Sequence, residues 1–490
     1  MTSSVTGPDI PDGEGSARVS EVSRGHLNNP TGTGPAVPVG LVLLVAATFF
    51  MEILDGTILA TAAPQIGRSL GVRSSGVGTA ITAYLITVAV LIPLSGWVAD
   101  RLGARTTFVG AILVFTTASV LCAGAQTLTQ LVAMRVLQGT GAALMVPVGR
   151  LAVLRGVAKQ DVIRTMSFLI WPGLVAPIIA PVAGGLLTTY ASWRWIFLIN
   201  APLGIVAIGV AWRRMPRGGG ERAVRLDWRG FLGCAAAIGS AASLADAAGD
   251  PDVDVRWTLL LAATAVAAGT VTVRYFAAAS RPLLDLSVLR VASFRASHAG
   301  GSLFRIAIHA VPFLLALWLQ DQFGWSAAHA GTLVLFLFVG NLAVKPLTTP
   351  MLQHLGFRPT LVIATAGAAV SVAACGLLGA TTPGWLLAAV VAAGGGFRSI
   401  GFSAYNTLAF ADVEGPALSG ANTLAATVQQ LAQAFGVALG VLVLRLGEVF
   451  YEGEGAYRLA FALVGSLLVV ACVAAARLPQ GLGRELRSRR

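Results

Sequence analysis

The sequence predicts an all-α membrane protein with fourteen transmembrane helices, on three observations. Hydrophobic residues make up 56% of the 490 and charged residues only 11%, whereas a soluble domain carries about 25% charge. Mean hydropathy is +0.77. Runs of roughly 20 apolar residues recur from end to end, each long enough to cross ~30 Å of hydrocarbon as a helix. A chain so poor in charge cannot cover a soluble surface, so lipid must cover it. Helices suit that solvent because each satisfies its own backbone hydrogen bonds. The alternation of a lipid-facing barrel is absent.

Residues 1–36 are rich in Gly, Ser, Pro and Thr and read as a disordered tail. No apolar core follows a basic start, so this tail is not a signal peptide. Spans 1 to 7 follow near 38–64, 76–99, 105–125, 128–151, 163–189, 195–212 and 228–248. Spans 8 to 14 lie near 256–277, 296–319, 327–348, 359–379, 384–410, 417–446 and 456–477.

Basic residues orient the stack. Arg101 and Arg105 follow span 2, Arg155, Lys159 and Arg164 follow span 4, and Arg213, Arg214, Arg217, Arg222 and Arg225 follow span 6. Arg281 and Arg290 follow span 8, and four arginines end the chain. The alternate loops carry acids, such as Asp250, Asp252 and Asp254, then Asp321, then Glu448, Glu452 and Glu454. The positive-inside rule places both termini in the cytoplasm and accounts for most of the net charge of +12. Arginines in short inter-helix loops do not make a nucleic-acid face, so anionic lipid is the expected partner for that charge. Cys122, Cys234, Cys375 and Cys472 fall in apolar spans without metal-ligand spacing and read as small packing residues.

Two loops repeat. "GWVADRLGARTTFVGA" at 96–111 and "TTPMLQHLGFRPTLVIA" at 349–365 share Leu102, Gly103 and Arg105 with Leu355, Gly356 and Arg358. A repeat of this kind suggests two related halves with the substrate path between them. In the first copy Gly96 suits close approach of a neighbouring helix, and Gly103 suits a tight turn. Asp100, Arg101 and Arg105 make a charged cluster that either latches the cytoplasmic side or is an ordinary charged loop.

That stretch resembles the signature G-x-x-x-D-R-x-G-R-[RK] of the major facilitator superfamily, with Ala104 in place of the first of its final basic pair. "LDGTILATAAP" at 54–64 resembles the first-helix signature of its fourteen-helix drug:proton antiporters, with Ala60 where Asn is usual. "RVLQGTGAA" at 135–143 resembles the fourth-helix signature without departure. "GLVAPIIAPVAGG" at 173–185 resembles the antiporter signature, with Ala176 and Ala180 where glycines are usual. "SWRWIFLINAPLG" at 192–204 and "SGANTLAATVQQLAQAFGVALG" at 419–440 resemble the entry to helix 6 and helix 13 of the same branch.

The resemblance implies two six-helix bundles with spans 7 and 8 as a linking pair. The organisation is then a tail 1–36, a bundle 37–212, a linker 213–290, a bundle 291–480 and a basic tail 481–490. It also implies export of small amphiphilic molecules, drugs or antibiotics among them, in exchange for protons. The expected setting is a bacterial inner membrane, as a monomer with no cofactor beyond the proton gradient.

Buried charge is where chemistry can reside. A charge at mid-membrane costs at least ~2.5–3.5 kcal/mol, yet span 1 carries Glu52 and Asp55, one turn apart on one face. A carboxyl in hydrocarbon favours its neutral form and a nearby cation favours the charged one, so an acid alternating between the two settings carries protons. Asp55 lies ~25 Å into span 1 and Arg135 ~20 Å above the cytoplasmic side, so the two share a level. The resemblance makes both the expected coupling residues; a static ion pair is the other reading of them, and of Glu52. In span 5, Gly173, Pro177, Pro181, Gly184 and Gly185 predict a kinked, closely packed helix. Arg305 and His309 stand one turn apart in span 9, Arg398 lies inside span 12, and spans 9 to 13 hold no deep acid. Such a cavity suits amphiphilic, zwitterionic or anionic molecules, if these groups face it rather than brace helices. Lys345 is expected to snorkel, while Gln429, Gln430 and Gln433 either line the path or bridge helices.

An intramembrane enzyme would need a nucleophile with a base, paired aspartates or metal-ligand spacing, and the sequence offers none. "GTGAA" at 139–143 is no phosphate loop, since it lies inside a span and lacks the lysine. Proton-linked transport of a native metabolite and a non-transporting receptor are the other readings.

Overall fold

A computed structural model describes residues 1–2, 39–155, 162–215, 226–247, 255–279, 282–379, 381–413 and 417–479. The tail expected at 1–36, Met1 and Thr2 apart, and the basic tail from 481 lie outside the described residues, as do Lys159, Arg217 and the acids at 250–254. Every predicted span is helical where it is described. The first half holds α1 (Val39–Leu70), α2 (Gly78–Leu91), α3 (Leu94–Leu102), α4 (Ala104–Ala123), α5 (Leu128–Arg155), α6 (Val162–Tyr190), α7 (Trp195–Leu198) and α8 (Asn200–Arg214). A hairpin of α9 (Trp228–Ala247) and α10 (Val255–Ala278) leads to the second half. That half holds α11 (Ala292–Asp321), α12 (Ala327–Ala343), α13 (Lys345–Leu355), α14 (Phe357–Leu377), α15 (Gly384–Phe410), α16 (Leu418–Phe450) and α17 (Glu454–Ala476). Eleven described helices are long and apolar enough to span alone, and the bent pair α12–α13 makes twelve.

Some boundaries differ from expectation. Span 1 continues through Pro64 to Leu70; a proline deletes one backbone donor without ending a helix that packing holds in place. Span 2 breaks before α3 at Ile92–Pro93, and span 10 bends by 45° between α12 and α13, just before Pro346. Both breaks precede the repeated loop. There Gly103 has φ 85° and Gly356 φ 84°, a region costly for any side chain but glycine's. The repeat extends to hydrogen bonds: Thr107 donates to the Val98 carbonyl at 3.3 Å, and Thr360 to the Met351 carbonyl at 3.4 Å.

The halves pack alike. α1 lies along α6 as α11 lies along α16, α2 along α5 as α12 along α15, and α4 along α8 as α14 along α17. Between the halves, α6 packs on α12 and α2 on α16, a pair of contacts that exchange under the same symmetry. The α9–α10 hairpin leans on α2 and α16.

Contacts between the halves gather at the end away from the basic loops, here the far end. Gln320 on α11 donates to the Thr61 carbonyl on α1 at 2.9 Å and accepts from Gln65 at 3.1 Å. Asp321 accepts from Ser74 at 3.4 Å and from Tyr457 at 3.0 Å. Arg73 pairs with Glu448 at 3.4 Å beside a polar cleft of about 620 Å³. Gly331 on α12 sits against the Pro181 carbonyl of α6, where a Cβ would collide with backbone. At the basic end a cleft of about 540 Å³ opens between α15 and α16, lined by Asn406, Phe410, Asn422 and Gln429.

Candidate functional site

Asp55 is the centre of a buried polar network that joins four helices. Its side chain on α1 is 1% exposed, and Arg135 on α5 is fully buried. Arg135 donates to Asp55 Oδ2 and, at 2.7 Å, to Gln138 Oε1. Asp55 Oδ1 accepts from Gln138 Nε2 at 2.9 Å and from Asn200 Nδ2 of α8 at 2.8 Å. Ser119 on α4 accepts from Gln138 at 3.1 Å and from Asn200 at 3.0 Å, and donates to the Phe197 carbonyl. The Tyr84 ring lies 4.0 Å from the Arg135 guanidinium carbon, so π density covers donors that carry no hydrogen bond. A carboxylate removed from water is tolerable only with such donors around it.

Glu52 does not join this network, although it shares the Asp55 face of α1. Its field partner is Arg150, further along α5, whose guanidinium lies 5.0 Å from the Phe49 ring. A separation of three residues puts two carboxylates on one face but at different depths, and α5 supplies a cation at each.

Helix contacts set the register between the halves. Gly139 on α5 faces Tyr84 on α2, as Gly395 on α15 faces Leu337 on α12. Gly204 meets Thr116 as Gly465 meets Ala369, and Gly184 meets Thr61 as Gly440 meets Leu314. In that register Asp55 corresponds to Ile308, Tyr84 to Leu337, Ser119 to Val372, Arg135 to Val391, Gln138 to Gly394 and Asn200 to Phe461. The residues that correspond to the polar network are therefore apolar, and most of them line a narrow cavity of about 20 Å³ that Arg398 and Ser371 also line. Glu52 corresponds to Arg305, and Arg150 to Asn406. Where the first half sets an acid in the field of a cation, the second has Arg305 donating to the neutral Asn406 Oδ1 at 2.9 Å.

The remaining candidates fall into separate groups. Arg101 stacks on Trp97 at 5.5 Å, and Trp97 meets Trp228 of α9 edge to face at 6.3 Å. Arg105 donates to the Trp212 carbonyl and lies 4.6 Å from that ring. Gly96 does not mediate close packing: a Cβ there would point into open space. On α6, Gly184 packs on Ile58 and Thr61 of α1, and Gly185 on Ala327 and Ala328 of α12. α6 runs as one helix through Pro177 and Pro181; the surroundings of Gly173 lie outside the described residues. His309 Nδ1 lies 2.6 Å from the Arg305 carbonyl, Arg398 lies 5.5 Å from the Phe338 ring with Nη1 unpartnered, and Gln433 is half-buried on α16. Lys345 does not snorkel; its ammonium donates to Ser403 at 3.0 Å. Tyr84, Ser119, Gln138 and Asn200 escaped the sequence reading as site residues. Gln138 and Asn200 lie within quoted signatures, but which side chain they would meet depends on inter-helix register.

Two pseudo-symmetric helical bundles meeting at one end, with a buried charge network in one of them, define a multi-pass membrane transporter for small molecules. The chain belongs to the Major Facilitator Superfamily, whose description matches residues 45–308 and 298–487. A "Putative multidrug resistance protein MdtD" of Klebsiella pneumoniae (strain 342) is 37% identical over 406 residues, 82% of this chain and 85% of that protein. Its namesake in Pectobacterium carotovorum subsp. carotovorum (strain PC1) is 35% identical over 404 residues, 82% of this chain and 86% of that protein. Among solved structures, a D-xylose-proton symporter matches with a TM-score of 0.65 at 13% identity, over 91% of this chain and 99% of the other. An auto inhibited peptide transporter of the POT family matches with a TM-score of 0.64 at 14% identity, over 90% and 97%. At that identity the structural likeness concerns the fold alone.

Proposed function

We propose that this protein is a proton-coupled exporter of small amphiphilic organic molecules, drugs and antibiotics among them, working by alternating access. The observation that carries the reading is the Asp55 carboxylate, held by Arg135, Gln138 and Asn200. Its charged form satisfies donors from α5 and α8 together. A proton arriving on Asp55 removes the charge that Arg135 answers and loosens α1 from both helices. Thr61 stands six residues further along α1, or ~9 Å, and its carbonyl holds Gln320 of the other half. Protonation at Asp55 can thus be felt where the halves close. α6, wedged between α1 and α12, would seal the path during the change.

The multidrug-resistance name of the relatives supports the substrate breadth and the outward direction. The positive-inside rule then assigns the basic end and both termini to the cytoplasm of a bacterial inner membrane. The protein would act as a monomer, with the proton gradient as its energy source and no cofactor. The test is transport of a compound panel by purified protein in vesicles under an imposed proton gradient. Gradient-driven movement that Asp55→Asn abolishes is the expected result; undiminished movement in that variant would overturn the coupling role.

A further inference from the structure

The second half carries buried positive charge without acids to answer it. Between Leu286 and Asp412 the sequence contains one acid, Asp321, at the far-end terminus of α11. Within the same stretch Arg305 is 2% exposed, and its donors go to the Asn406 side chain at 2.9 Å and the Ser297 carbonyl at 3.5 Å, both neutral. Arg398 has a buried Nη1 with no partner. His309 lies in the electrostatic field of both arginines, and its Nδ1 is occupied by the Arg305 carbonyl. Uncompensated cations at this depth are expensive. The corresponding place in the first half holds an acid, Glu52, in the field of Arg150.

One wall residue of a cleft touches this cluster, and Arg398 lines a separate narrow cavity of about 20 Å³ beside it. Asn406, which holds Arg305, also lines the 540 Å³ cleft that opens at the basic end. The volume falls within the ~300–1,000 Å³ usual for small-molecule sites. Its wall combines apolar Phe410 and alanines with the polar groups of Asn406, Asn422 and Gln429, and Gln429 Oε1 is buried without a partner.

We propose that the preferred substrates are amphiphilic organic anions, whose acidic group supplies the charge missing around Arg305, His309 and Arg398. This deepens the export reading and rests on it for transport, though not for binding. Asp55 and Glu52 stay with their own cations in the first half, so coupling and anion recognition fall to different halves.

Binding without a gradient tests the inference. The purified chain in lipid nanodiscs is titrated with naphthalene-2-sulfonate, its neutral sulfonamide and tetraphenylphosphonium. The sulfonate should bind at least about tenfold more tightly than the sulfonamide, a gap of ~1.4 kcal/mol. Arg398→Gln and Arg305→Gln should each bring the two within about twofold, while Arg398→Lys keeps most of the preference. Wild-type protein that binds the sulfonamide or the phosphonium equally well overturns the proposal, without reliance on any variant. Retention of the full preference by both glutamine variants overturns it too. Anion preference that persists beside failed gradient-driven transport supports this inference and sinks only the coupling reading.

Discussion

Asn200 donates to Asp55 across 2.8 Å, joining α8 to α1 at a buried acid of the first half. Its counterpart in the second half is Phe461, which donates nothing. The asymmetry gives one bundle a titratable centre and leaves the other apolar at the same place. Asn200→Ala should remove one donor of an ionised group, worth about 1–3 kcal/mol. Gradient-driven exchange should slow by roughly tenfold while Asn200→Asp, which keeps the size but loses the donor, slows it further. Transport rates in vesicles check this, and an unchanged rate for both variants would exclude Asn200 from the network's function.

Asp55→Asn and Asp55→Leu separate coupling from folding. The amide still offers Arg135 an acceptor, so protein yield should persist while exchange is lost. Leucine leaves the arginine buried and unpaired, at about 3–5 kcal/mol, and should depress thermal stability as well. Melting curves of both variants beside the transport assay decide; equal stability of the two would show that Arg135 finds other compensation.

Asp100→Ala should slow turnover more than it weakens substrate binding. Asp100 lies in the last turn of α3, which meets α9 through Trp97, and next to α4, which is tied to α8 through Arg105, so its effect belongs to conformational exchange. A binding titration next to a transport rate tests this. Lost affinity at unchanged turnover would contradict it.

The far-end closure should depend on packing more than on its exposed ion pair. Gly331→Ala forces a methyl into the Pro181 backbone, an overpacking cost of typically 1–3 kcal/mol. Glu448→Gln removes a pair whose side chains are 74% and 38% exposed, worth about 0–1 kcal/mol. Labelling of Ser74→Cys by an impermeant thiol reagent should therefore rise clearly in the Gly331 variant and little in the Glu448 variant. The reverse order would reassign the closure to the ion pair.

Much of this molecule is legible in one dimension. Composition alone requires lipid as solvent, and run length with punctuation by Gly, Pro and Arg sets the number and order of the spans. Asp55 and Arg135 could be matched by depth, because helical rise is constant and both were counted from a membrane surface. The repeat at Gly103 and Gly356 was visible because a positive φ demands glycine in both copies.

Tertiary structure alone decided which neighbours those residues have. Sequence spacing puts Glu52 and Asp55 on one face, yet only the rotation and height of α5 against α1 send one to Arg150 and the other to Arg135. Asn200 and Gln138 became donors to Asp55 through packing between helices far apart in the chain, where a shift of one residue turns a side chain by about 100°. The correspondence of Glu52 with Arg305 and of Asp55 with Ile308 likewise needs the contact register, since loops of unequal length hide the alignment. Depth follows from counting along a helix; partnership depends on angle between helices, and that angle is set by the packing of the whole bundle.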